Sequence, residues 1–312
     1  MTAEEVTYGT VVTPDRGFEL RNESLKLESE RIESPALRSG TRVQRSDRWA
    51  TGKRAVSGDI TMDLINKSQG RWWKHAFGGV ATSQPDGVGS PTVYLHTFTP
   101  GDLPVGQTIQ VGRPNVNGTT QAFTYHGCKV ASWELACAVG EIASLKVSIL
   151  GEDEDTTTSL ASISYPTGIA MMTFVHGSVT VGGSPANIKS VTASGNNGLN
   201  GDRYFLGGAL RKNPLENALR EYTGSFEAEF EDLTAYNRFV NGTEAEVVLL
   251  FQGAIINGSY RYETKITANV RFDGETPNVG GPDIVPLNTP WKVVDNGTTS
   301  IKVEYQTTDS TP

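Results

Sequence analysis

The chain has 312 residues, about twice a common domain length, so one large or two moderate domains are the starting expectation. Its formal charge of −8 and pI near 5.2 argue against a protein that grips nucleic acid by neutralising phosphates, because that needs a basic surface. A hydrophobic content of 37% supports a packed core, and the two cysteines, Cys128 and Cys137, are too few to staple a chain of this size and read as buried thiols.

From the start, the segment Met1 to Val12 shows neither the basic region nor the apolar run of an export signal. No stretch approaches the 18 or so apolar residues of a spanning helix, so the expectation is a protein made in the cytoplasm with no membrane partner. Short alternating runs of Val, Ile, Thr, Tyr and Phe, separated by Gly, Asn, Asp and Pro clusters, then predict a mainly β chain.

Ser24 to Leu27 reads as a strand. The segment Arg42 to Trp49 follows as a basic loop in an otherwise acidic chain. Arginine and tryptophan are enriched at the centres of protein contacts, which makes Arg42, Arg45, Arg48 and Trp49 candidates for contact between subunits. A solvated loop with an incidental aromatic is the competing reading. Arg54 to Leu64 is an alternating strand that presents Asp59 and Asp63 on the face opposite its apolar residues. A helix is predicted over Asn66 to Phe77, where Trp72, Trp73, Ala76 and Phe77 bunch together and Gly78-Gly79 can end it. Asn117-Gly118, and later Asn257-Gly258 and Asn296-Gly297, predict type I′ hairpin turns.

The acidic, Ser/Thr-rich stretch Gly151 to Ser159 has the composition of a solvated linker. Beyond it, Arg220 to Phe230 alternates as Arg54 to Leu64 does and carries Glu227 and Glu229 on its polar face. A second helix is predicted over Asp232 to Val240, with Leu233, Tyr236, Phe239 and Val240 on one face and Asn241-Gly242 ending it.

Catalytic, cofactor and metal sites find no support in the sequence. His75, His96, His126 and His176 are scattered without a ligand spacing, and Cys128 with His126 is a neighbour pair on one strand face. Gly52-Lys53 resembles the end of a phosphate loop, but Asp47 stands where that loop needs glycine. Glu152 to Asp155 lacks the spaced ligands and glycine turn of a calcium loop. The chain therefore reads as a non-enzymatic binding or assembly protein.

The two alternating strands correspond at a constant offset of 166 residues, Arg54 to Leu64 on Arg220 to Phe230, with arginine, glycine and every apolar position matched. The same offset carries Ser24 to Leu27 onto Ser190 to Ala193 without a gap. Ser144 to Val147 answers Ser300 to Val303 at an offset of 156. This predicts an internal tandem duplication, with one copy in residues 1–158 and the other in 159–312, each a set of strands with one short helix.

Tyr8 to Pro14, Glu23 to Leu27, Arg31 to Ser34, Arg45 to Ala50 and Ser57 to Asp59 leading to His75 to Gly78 resemble the N-terminal half of the major tail tube proteins of siphophages. The resemblance is strong over about the first 80 residues and looser beyond. It implies two tandem β-sandwich or half-barrel repeats of the tail tube type, each with one short flanking α-helix, whose neighbours complete an inner barrel around a lumen. A duplicated chain of this kind implies trimeric rings with pseudo-sixfold symmetry, stacked in the virion tail around a tape measure protein and closed by tail tip and terminator proteins. DNA would pass through the lumen without specific binding. The resemblance also implies long loops that reach the adjacent ring, matched here to Thr41 to Ala55 and to Asp202 to Asn217. If Asp59, Asp63, Glu227 and Glu229 face the lumen, their charge would repel phosphate. Rival readings are a tail terminator or baseplate hub of related fold, or a carbohydrate-binding β-sandwich adhesin.

Overall fold

The computed structural model describes residues 1–87, 92–274, 276–279, 281–298 and 300–312. The first half contains β1 (Thr2–Glu4), β2 (Asn22–Glu23), β3 (Lys26–Glu33), β4 (Trp49–Asp63), α1 (Gly70–Phe77), β5 (Gly78–Ser83), β6 (Tyr94–Pro100), β7 (Gln107–Pro114), β8 (Thr120–Ala138), β9 (Ser144–Gly151) and β10 (Asp153–Asp155). The second contains β11 (Gly177–Val181), β12 (Ser184–Ala186), β13 (Ile188–Asn196), β14 (Glu221–Glu229), α2 (Thr234–Asn241), β15 (Ala245–Asn257), β16 (Tyr260–Phe272), β17 (Pro286–Val293) and β18 (Ile301–Thr307). The mainly β expectation holds, and every strand pairing named below is antiparallel.

Eight strands form one continuous sheet in the order β3-β4-β9-β8-β13-β14-β17-β16. The first four belong to the first half and the last four to the second, and each group starts from a hairpin of consecutive strands, β3/β4 and β13/β14. Behind this wall lie β1-β7-β8-β10 in the first half and β12-β11-β15-β16-β18-β6-β5 in the second. Two long strands serve both layers. β8 pairs with β7 up to Cys128 and with β9 from Lys129 onward, turning the corner where Gly127 takes φ +62°. β16 gives only its last three residues to β17 and the rest to β15 and β18.

Alternation explains the core. Val56, Ile60 and Met62 of β4, Leu145, Val147 and Ile149 of β9, and Val191 and Ala193 of β13 are buried, while their neighbours face outward. The helix α1 fills the space behind the wall: Trp73 and Phe77 meet Trp133 of β8 at 5.3 and 5.4 Å between ring centres, and Phe77 stacks on Tyr222 of β14 at 5.6 Å. That cluster joins the two halves. The N-terminal segment covers α1 from outside, with Phe18 edge-on to Trp72 at 4.9 Å, Arg71 donating to Asp15 at 2.6 Å and Lys74 to Glu4 at 2.8 Å. The His75 ring and the Lys74 ammonium hold the Glu4 carboxyl down to about 2, against the burial that would raise it.

Several local expectations are corrected. The first helix begins at Gly70 rather than Asn66, because the Gln69 side chain accepts from Ile65 N–H and donates to the Asp63 carbonyl, closing a turn before the helix. At the three Asn-Gly pairs only the glycines, Gly118, Gly258 and Gly297, take positive φ, so these turns are not type I′, which needs both central residues there. The acidic run expected as a solvated linker is ordered: Asp153–Asp155 is an edge strand on β8, and Arg54 donates to Asp153 at 2.8 Å. Ser144–Val147 and Ser300–Val303 match in letters but not in place, since β9 lies beside β4 whereas β18 lies between β16 and β6. The position beside β14 belongs to β17. Cys128 and Cys137 are both buried and free.

Candidate functional site

The outward face of the eight-strand wall is polar throughout its middle, and the register shows why. Cross-strand partners run Thr61, Lys146, Glu134, Ser194, Thr223 and Lys292 across β4, β9, β8, β13, β14 and β17. The next rung but one runs Asp63, Ser144, Ala136, Thr192, Ser225 and Pro290. Because side chains alternate with a period of two, one register fixes every position of the face, and serine, threonine and charged residues occupy nearly all of them. Small hydroxyls bond across strands, as in Thr192–Ser225 and Ser194–Thr223, each 3.0 Å apart.

All four acids expected on this face lie there, but not as a bare acidic strip. Asp59 accepts from Ser148 Oγ at 2.6 Å and from Lys146 Nζ at 2.9 Å; burial pulls its pKa up, and these two partners bring it below the ordinary carboxylate range. Asp63 pairs with Arg21, Glu229 with Lys189 at 2.9 Å, and Glu227 accepts from the Ser190 hydroxyl at 3.4 Å. The cations of this region, Arg21, Lys26, Lys146, Lys189 and Lys292, each meet a carboxylate: Asp63, Glu28, Asp59, Glu229 and Glu221 respectively. The face is thus nearly neutral and offers no unpaired ammonium from these residues to a phosphate. Cross-strand charge pairing could be anticipated only once register was known, so the sequence showed the acids and hid their partners.

The loop with Arg42, Arg45, Arg48 and Trp49 is the tip of an arm. β9 accompanies β4 only from Val56, so Trp49 to Ala55 extend past the wall, paired with β3 and touched by Leu210. Arg45 pairs with Asp47 at 3.0 Å, Arg48 lies 4.0 Å from the same carboxylate, and Arg31 sits over the half-exposed Trp49 ring at 5.7 Å. Arg38 and Arg42 make no ion pair among the described residues. Leu37 is 99% exposed and Val43 79%, so the tip displays apolar as well as basic groups.

The counterpart expected at Asp202 to Asn217 behaves differently: it folds back on the chain. Arg211, buried, donates to the carbonyls of Val56 at 2.8 Å and Gly151 at 3.1 Å; Arg54 N–H donates to the Ala209 carbonyl, and Lys53 pairs with Asp202 at 2.9 Å. These contacts brace the root of the arm. The two helices differ in the same way: α1 is almost wholly buried, whereas no residue of α2 is, and Val240 and the preceding Leu233 are more than half exposed. Under α2 lies an open cleft of about 310 Å³.

Among the described residues no cluster of His, Cys, Asp or Glu could hold a metal ion, and no helix is long and apolar enough to cross a membrane. A family model described as phage tail tube protein matches residues 1–293. A comparison with curated proteins finds no match.

Proposed function

Because the chain belongs to the phage tail tube protein family, a structural component of a virion tail that assembles with itself into a tube, we propose that it is the major tube subunit of a long non-contractile tail. The observation that carries this reading is the eight-strand wall with one polar, charge-compensated face. Turned toward the bore, that face lets DNA slide, since hydroxyls and neutralised ion pairs give phosphates no free cation to release counterions against. Compensation, rather than net repulsion, is the anti-adhesive principle.

The duplication into residues 1–158 and 159–312 is supported by the layout of the wall, in which β3-β4-β9-β8 and β13-β14-β17-β16 repeat one order of hairpin, third strand and long layer-crossing strand. Inside the chain the two groups join by β8 against β13. Three copies joined edge to edge give a ring of about 24 strands with pseudo-sixfold symmetry. At about 4.8 Å between strands and a tilt of about 40°, the backbone cylinder is about 48 Å across, and side chains leave a bore of roughly 38 Å that admits a DNA duplex. Such rings assemble in the host cytoplasm around a tape measure protein, between tail tip and terminator proteins.

Replacing Asp59, Asp63 and Glu227 by lysine leaves Lys146 and Arg21 unpaired and adds three further cations to the face. The expected result is tubes of normal appearance and DNA ejection slowed severalfold at low salt, relieved as salt rises. Ejection at the normal rate in low salt would remove the assignment of this face to the bore.

A further inference from the structure

The wall has two unlike ends. Moving from β4 through β9, β8 and β13 to β14 crosses four antiparallel pairings, so β4 and β14 run the same way. Their starts, with the arm, lie at one end; their finishes, Asp63 and Glu229, lie at the other. The arm carries Arg38, Arg42, Arg45 and Arg48 against the single acid Asp47 in residues 34–48, a net charge of +3 in a chain of −8. It extends past the wall by the seven residues Trp49 to Ala55, about 23 Å at strand rise, before the tip begins.

At the opposite end, α2 roofs the cleft, whose walls include Pro185, Ile188, Phe226, Ala235, Phe272 and Leu287. Its rim carries Glu229, Glu231 and Asp232. An apolar hollow with an acidic rim therefore stands at one end of the sheet, and an apolar tip with unpaired arginines at the other. Two complementary patches at opposite ends of one molecule make a heterologous contact, which does not close on itself and propagates as an open filament.

Resting on the tube reading above, we infer that the arm tip of one copy docks in the α2 cleft of a copy in the adjacent ring, with Leu37 entering the hollow and Arg38 and Arg42 facing Glu229 and Glu231. The docking also accounts for α2 having so little cover of its own: in the first half the N-terminal segment lies over α1, and in the second half the neighbour's arm takes that part. Arg211 and Lys53 then serve to hold the arm root at a fixed angle, so that the tip arrives ordered.

Charge exchange tests it. Full-length protein carrying Arg38→Glu with Arg42→Glu, or Glu229→Arg with Glu231→Arg, is expected to give tubes at least tenfold shorter than wild type in seeded polymerisation, and the fourfold variant is expected to restore their length. Wild-type lengths from the arm variant, or a fourfold variant that stays short while wild type grows, would overturn the docking. A second measurement does not depend on charge: a Leu37→Cys variant mixed with an Ala235→Cys variant and oxidised in assembled tubes should give covalent dimers, because Cys128 and Cys137 are buried. Tubes without dimers would contradict it. Wild type that forms no tubes even when seeded would remove the tube reading and this docking together.

Discussion

Alanine in place of Trp133 is expected to lower the unfolding free energy by about 3–5 kcal/mol, the range for truncating a buried large aromatic. Trp133 is 2% exposed and touches Trp73, Phe77 and Tyr222, drawn from α1 and from both halves of the wall. Nothing small can fill the vacancy, because the residue opposite it on β13 is Gly195, where a Cβ would lie 2.4 Å from the indole nitrogen. The ring thus lies flat across a glycine, and its loss leaves a hollow bounded by a strand without a side chain. Denaturant midpoints on wild type and variant measure the effect. A loss below about 1 kcal/mol would show that the cluster does not join the halves.

The second large effect comes from adding one carbon. Gly224 lies opposite Trp291 on β17, and a Cβ there would fall 2.1 Å from Trp291 Cζ2 and 2.3 Å from the Thr192 carbonyl oxygen. The indole could swing away; the carbonyl belongs to a paired strand and cannot. Gly224→Ala is therefore expected to cost about 3 kcal/mol, at the upper end of overpacking penalties. Gly118→Ala supplies the comparison: its φ of +79° makes alanine unfavourable, but nothing lies within 4 Å of the new atom, so the cost should stay near 1 kcal/mol. Thermal melting of the two variants separates collision from backbone conformation. Equal shifts would contradict the packing account.

These two positions also show what the sequence made legible. Gly58 and Gly224 match in the offset of 166 residues, and both prove to be sites of close backbone approach, Gly58 against the Ser24 carbonyl and Gly224 against that of Thr192. Strand alternation, the polar face with its four acids and both helices were readable because they depend on neighbours within a turn or a pleat. Features set by distant chain were not. The acidic run at Glu152 became strand β10 because β8 bends at Gly127 and leaves it an edge; the polar segment around Arg211 became a brace because two wall carbonyls were within its reach. The alignment of Ser144 with Ser300 failed because alternating strands look alike whichever sheet they join. Two helices with similar apolar faces parted company, one buried and one open, since only α1 has the N-terminal segment over it.

The central claim, that this chain builds a conduit by edge-joined and stacked copies, is tested most directly by electron microscopy of full-length protein polymerised on purified tail tips, with end views averaged. The account predicts hollow tubes whose rings hold three copies with pseudo-sixfold outline and a bore of roughly 38 Å. Solid filaments, or closed single rings that never stack, would contradict it.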